Sequence, residues 1–124
     1  MIRVLIIEDN LQQAEIIKQF MVSADIEAAF VTDSTNALDE IHNFRPDVII
    51  LDIMMPKMDG LTILKKIRDN SDWEHIKVII YTAKNFEVDR RKAIHLGANL
   101  FLPKPTRGYQ IVEHVKSLAG VVAV

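Results

Sequence analysis

What most limits the fold of this chain is the rhythm of its apolar segments. Ile2–Ile7, Ile26–Val31, Val48–Leu51, Val78–Tyr81 and Leu100–Leu102 are short and rich in β-branched residues. Continuous apolar runs, as opposed to apolar–polar alternation, belong to strands covered on both faces of a sheet. The second and fifth runs are less purely apolar, which assigns them to the sheet edges. Between the runs, apolar residues recur at helical spacing. Leu11, Ala14, Ile17 and Met21 form one stripe, and Leu38, Ile41 and Phe44 a second. Leu61, Leu64 and Ile67 form another, and Val112, Val115 and Leu118 the last. The stretch 86–96 is the weakest pattern. Val88, Ala93 and Ile94 are apolar there, but Asp89 to Lys92 are all charged, so a short helix with a thin contact face is expected.

The punctuation agrees with five strand–helix alternations. Pro46 closes the second helical region, Gly97 is a C-cap for the fourth, and Pro56, Asp59 and Gly60 make a turn before the third. Alternation of this kind gives an α/β fold, a doubly wound parallel sheet with right-handed crossovers and helices on both faces. With 124 residues and no internal repeat or linker, a single domain spanning 1–124 is expected. No effector domain is expected within these residues. The N-terminal apolar run stops at Glu8, too early for a signal-peptide core or a membrane span, which fits a cytoplasmic chain. A net charge of −2 gives no basic face for nucleic acid, and the absence of cysteine removes disulfides, thiolate zinc sites and thiol nucleophiles.

In doubly wound sheets ligands bind beyond the carboxyl ends of the strands. The first strand runs into Glu8-Asp9, the third into Asp52 and the fourth into Thr82-Ala83, and Lys104-Pro105 follows the fifth. Each of these alone reads as a turn, a helix cap or a solvated side chain. Together they project three carboxylates, a hydroxyl and an ammonium from one edge, and capping gives no reason for such convergence. Carboxylates held close together must share a proton or a cation, and oxygen ligands without His or Cys suit magnesium, with manganese as the alternative. An ionised carboxylate can attack phosphorus without a general base, leaving catalysis to positioning and charge neutralisation.

At these residues the chain resembles the receiver domain of two-component response regulators. The resemblance is carried by Glu8-Asp9, the segment from Val48 through Asp52 to Gly60, Tyr81-Thr82-Ala83 and Pro103-Lys104-Pro105, in order along nearly the whole chain. It implies a flavodoxin-like sheet of order 2-1-3-4-5. It also implies that Asp52 accepts a phosphoryl group from a phosphohistidine on a sensor histidine kinase or a histidine phosphotransfer domain. Asp9, Asp52 and the backbone carbonyl of Met54 would ligate magnesium, with Glu8 acting through water. Lys104 would bind a phosphoryl oxygen, and its bond to Pro105 would be cis. Thr82 and Phe101 would form a switch pair, and Met54 and Lys84 would tune the phosphoryl lifetime.

The output implied is a changed binding surface on the fourth helix, fifth strand and fifth helix, read by a downstream protein target or a fused effector domain. A phosphorylation-dependent homodimer is compatible with it. Such a domain assists its own phosphoryl transfer and hydrolysis and acts as an enzyme on no separate substrate. Two other classes fit less well. A phosphatase with an Asp nucleophile would carry a second Asp where Met54 stands, and a flavoprotein would need a glycine- and hydroxyl-rich loop in place of Asn10-Leu11-Gln12-Gln13. The cluster Arg90-Arg91-Lys92 is either a solvated face or part of the partner surface. His42, His75, His95 and His114 lack metal-ligand spacing, and Trp73 falls in a loop at the far end of the sheet. The apolar tail Val121–Val124 favours excision from a longer chain or packing against a partner.

Overall fold

In a computed structural model the chain is described from residue 1 to residue 120, so the tail expectation at Val121–Val124 lies outside the described residues. The strands are β1 (Arg3–Ile7), β2 (Glu27–Val31), β3 (Val48–Leu51), β4 (Lys77–Thr82) and β5 (Leu100–Pro103). The helices are α1 (Leu11–Ser23), α2 (Ala37–Phe44), α3 (Gly60–Asp69), α4 (Glu87–His95) and α5 (Gly108–Leu118). All four ladders are parallel, and the strand order is β2-β1-β3-β4-β5. The two less apolar runs are therefore the edges, as their composition requires.

Residue alternation along the strands splits the core into two layers. Leu5, Ile7, Ile49, Leu51, Val78 and Ile80 pack with Ile41, Ile63, Leu64 and Ile67 beneath α2, α3 and α4. Val4, Ile6, Val48, Ile50, Ile79 and Leu102 pack with Ala14, Ile17, Met21, Ile111 and Val115 beneath α1 and α5. Each fully buried Ile or Leu contributes about 1.5–3 kcal/mol, so both layers drive folding. Leu11, expected in the α1 stripe, is exposed because it opens the helix beyond the edge of that layer.

Local chemistry sets the helix ends. Asn10 caps α1 by accepting from the Gln13 N–H, and Asp59 caps α3 by accepting from Leu61 and Thr62. Gly97, at φ 110°, ends α4: its N–H reaches the Ile94 carbonyl while that of Ala98 reaches Ala93. Those two bonds make a Schellman motif, whose left-handed residue favours glycine. The contact face of α4 differs from expectation. Val88 is 71% exposed, Ile94 is exposed too, and the buried residues are Ala93 and Asp89. A pattern scan places a carboxylate outward, whereas Asp89 has Lys84 Nζ 3.6 Å away to offset part of its burial. Among the described residues no helix is long and apolar enough to cross a membrane.

Candidate functional site

The parallel register continues past the strands and delivers the polar residues to one rim. Ile7 lies beside Leu51, so the next residues, Glu8 and Asp52, leave the sheet side by side. Their backbones still follow the ladder: the Glu8 N–H donates to the Val31 carbonyl at 3.0 Å and the Asp52 N–H to the Ile7 carbonyl at 3.1 Å. Thr82 is registered with Pro103, and the Lys104 N–H donates to the Thr82 carbonyl at 2.9 Å. The Lys104–Pro105 peptide is cis.

Side-chain parity divides these residues. Glu8, Asp52 and Lys104 continue the alternation of Ile6, Ile50 and Leu102 and so fall on the α1/α5 side. Lys104 Nζ accordingly reaches Asp52 Oδ2 at 2.9 Å, Gln13 Oε1 of α1 at 2.6 Å, and Glu8 Oε1. Thr82 continues Ile80 to the other side, toward α4, and the half-buried Phe101 packs against that same layer. Thr82 is fully buried, and its hydroxyl accepts from the Lys84 N–H at 3.2 Å.

Glu8, Asp9 and Asp52 can each offer one carboxylate oxygen such that all three lie within 4.8 Å of one another. Glu8 is 3% exposed and Asp52 6%, whereas Asp9 is open to solvent. Three carboxylates against one ammonium leave two negative charges in excess. Burial pushes the Glu8 carboxyl up, with Asp52 adding to it; the Lys104 and Asn10 hydrogen bonds oppose the rise but do not cancel it. Burial alone would lower the Lys104 ammonium, but its bonds to Glu8 and Asp52 outweigh that and hold it up. Breaking one partner out of such a buried ion cluster costs about 3–5 kcal/mol. A hard divalent cation with oxygen ligands matches both the donor set and the missing charge.

Asp52 is not a helix cap, since Asp59 serves α3. Its Oδ1 accepts from the Met54 N–H at 2.9 Å, which fixes the peptide next to the carboxylate. Gly60 is forced by close approach: a Cβ there would stand 2.2 Å from the Asp52 carbonyl oxygen and 2.6 Å from Ile53 Cα. Tyr81 braces the rim, accepting from the Thr106 N–H at 3.1 Å. Pattern reading overlooked Gln13, although its place in the first turn of α1, one turn after the capping Asn10, aims it at the rim. It also overlooked Ser34, 3% exposed in the β2–α2 connection, for which a lone serine in a polar stretch gives no signal. Arg90 and Arg91 of the basic cluster are both engaged by Glu87 of the same helix.

Comparison with known proteins gives one answer. The sequence pattern of the response regulator receiver domain matches residues 4–116. The uncharacterized transcriptional regulatory protein YclJ of Bacillus subtilis is 34% identical over 116 residues, covering 94% of this chain and 50% of the relative. The response regulator PleD of Caulobacter vibrioides is 32% identical over 94% of this chain and 26% of its own length. The chain thus spans half or less of these curated relatives. Among solved structures, the receiver domain of the Francisella response regulator 1452 superposes with a TM-score of 0.89 at 28% identity, covering 97% of this chain and 98% of the other.

Proposed function

This chain belongs to the response regulator receiver domain family, and from that footing we propose that Asp52 is its phosphoacceptor. The observation that carries the reading is the buried Asp52 carboxylate, tied to Lys104 and Met54 beside two further carboxylates. Phosphoryl acceptance and signalling are what membership implies, and the following assigns residues to them.

Asp52 attacks the phosphorus of a phosphohistidine on a sensor histidine kinase or a histidine phosphotransfer domain. The new O–P bond forms as the P–N bond breaks, and the imidazole leaves with the electron pair. A carboxylate nucleophile carries no proton to be removed in the transfer, so the step calls for no general base. Lys104 holds the carboxylate before transfer and binds a phosphoryl oxygen after it. Asp9, Asp52 and the Met54 carbonyl would hold magnesium directly, and Glu8 through water. When bound, the ion supplies the charge neutralisation that phosphoryl transfer demands. Manganese suits the same oxygen ligands.

Thr82 and Phe101 lie on the α4 side, and in this reading they convert phosphorylation into a change of surface. Thr82 turns toward the phosphoryl group, Phe101 turns inward, and the face of α4, β5 and α5 changes its affinity for a partner. Phe86 and Val88 at the start of α4 and Tyr109 in the first turn of α5 are exposed. The partner is a downstream protein or a fused effector domain, and residues 1–124 act as one receiver unit. A second copy of the chain is a further candidate partner. The domain acts on no separate substrate.

The test is intact mass after incubation with acetyl phosphate, for the natural chain and Asp52→Asn, with and without magnesium. The reading requires one phosphoryl adduct, on the natural chain only, dependent on magnesium and labile to hydroxylamine. No adduct under any condition would remove Asp52 as a self-sufficient acceptor.

A further inference from the structure

The connection between β3 and α3 carries the Met54 peptide, yet it has no regular structure, and a buried hydroxyl of the β2–α2 connection fastens it from outside. Ser34 Oγ donates to the Pro56 carbonyl at 2.8 Å and accepts from the Met58 N–H at 3.0 Å. A serine hydroxyl is a small group that can donate and accept at once, and Pro56 has no N–H with which to anchor itself. Beside it, Lys57 is held in the left-handed region at φ 69°, with Nζ 3.0 Å from Asp33 Oδ2. Asp33 in turn orders its own turn, its Oδ1 accepting from both the N–H and the hydroxyl of Thr35. A strained backbone conformation persists only where its surroundings over-determine it.

The connection is therefore tied at three points, one of them the Gly60 N–H donating to the Ile53 carbonyl at 3.3 Å. Met54 is bound to Asp52 at its start, and residues 56–58 are bound to the β2–α2 turn. What lies between is the peptide whose carbonyl is assigned above to the cation. We infer that Ser34 is a positioning residue for the metal site: its two hydrogen bonds set the direction of the Met54 carbonyl without touching the ion. The inference rests on the receiver reading of Asp52 and its metal. Its logic is that of outer-shell partners, which hold a ligand in the orientation a rigid small cation demands.

The probe is Mn2+, titrated into the full chain and followed by electron paramagnetic resonance, with Mg2+ in competition. Ser34→Ala should raise the Mn2+ dissociation constant roughly tenfold, the lower end for an outer-shell loss. Phosphorylation by acetyl phosphate should slow at low magnesium and recover when magnesium saturates. Ser34→Thr keeps the hydroxyl and should keep the affinity. Ile67→Val, a mild cavity at the other end of α3, should lower the melting temperature and leave the constant alone. Lys57→Met removes the neighbouring exposed tether and should raise the constant about two- to fivefold.

A Ser34→Ala constant within about twofold of the natural chain would overturn the inference, whatever its melting temperature, because outer-shell losses exceed that. If Ser34→Ala does not fold, an unchanged constant in Ser34→Cys, which keeps the shape and weakens both hydrogen bonds, overturns it equally. A natural chain that binds no Mn2+ and takes no phosphoryl group removes the metal reading and this one together. Tight binding by the natural chain with an indifferent Ser34→Ala removes this one alone.

Discussion

Gly60→Ala separates two opposed effects by sign. Gly60 opens α3 with an ordinary helical φ, where alanine normally stabilises by about 0.4–1 kcal/mol through the unfolded chain. Here the added Cβ would meet the Asp52 carbonyl oxygen at 2.2 Å, Ile53 Cα at 2.6 Å and the Asp52 carbonyl carbon at 2.9 Å. All three are backbone atoms of the β3 end, and no rotamer change can move them aside. Overpacking costs about 1–3 kcal/mol where side chains can adjust, so a rigid contact belongs at the top of that range. The net expectation is a loss of about 2–3 kcal/mol. With an unfolding entropy of about 2.1 cal/mol/K per residue, that lowers the melting temperature by about 8–12 °C. The assay is thermal unfolding by far-ultraviolet circular dichroism, with urea titration for the free energy. Because the displaced carbonyl belongs to Asp52, acetyl-phosphate labelling should fall as well, on the order of a hundredfold for a shift of about 1 Å. A variant that melts at the same temperature or higher, and labels normally, would refute the close-approach argument.

Burial raises Glu8 above 4.5, so its stabilising contribution is fully present below that value and fades as pH climbs through its folded value. With chelator present, melting temperatures should fall more steeply as pH rises above 4.5 for the natural chain than for Glu8→Gln, and equal slopes would sink the assignment. Hydrogen bonds from Thr35 and then Lys57 hold the Asp33 carboxyl down at about 2. Its contribution to stability is therefore present above the ordinary carboxylate range and is lost as pH falls through about 2. Carbon-detected NMR titration should show that low midpoint and a rise in Thr35→Ala; a midpoint of 3.8 in the natural chain would contradict the bonding described. Trp73 precedes β4 at the amino rim of the sheet, opposite Asp52, so its fluorescence should ignore magnesium and phosphorylation. A large quench on adding magnesium would show that the two rims communicate.

The fold was legible because its determinants are local. Five apolar runs, the edge character of 26–31 and 100–102, the turn at Pro56, Asp59 and Gly60, and the cap at Gly97 can all be read within a few residues of each position. The site was legible for a related reason: in a parallel sheet every strand ends on one rim, so Glu8, Asp9, Asp52 and Lys104 needed only their strands to be brought together. What escaped was set by distant partners. Asp89 reads as solvated because its burial is decided by α4 packing and by Lys84. Ser34 makes its bonds 22 and 24 residues away, and no local pattern marks them. Val88 looks like a core residue by type, but the helix turns it outward.

The division of the interior by the sheet has a consequence for how changes combine. The two apolar layers share no buried residue: Met21, Ile111 and Val115 lie in one, Ile41, Leu64 and Ile67 in the other. Substitutions without common partners add nearly independently, within about 0.3–0.5 kcal/mol. Stabilising substitutions can thus be accumulated in the α1/α5 layer, and their free energies summed, while the layer beneath α4 keeps its original packing. The protein is thus two cores in parallel, and a change of packing in one leaves the side chains of the other in place.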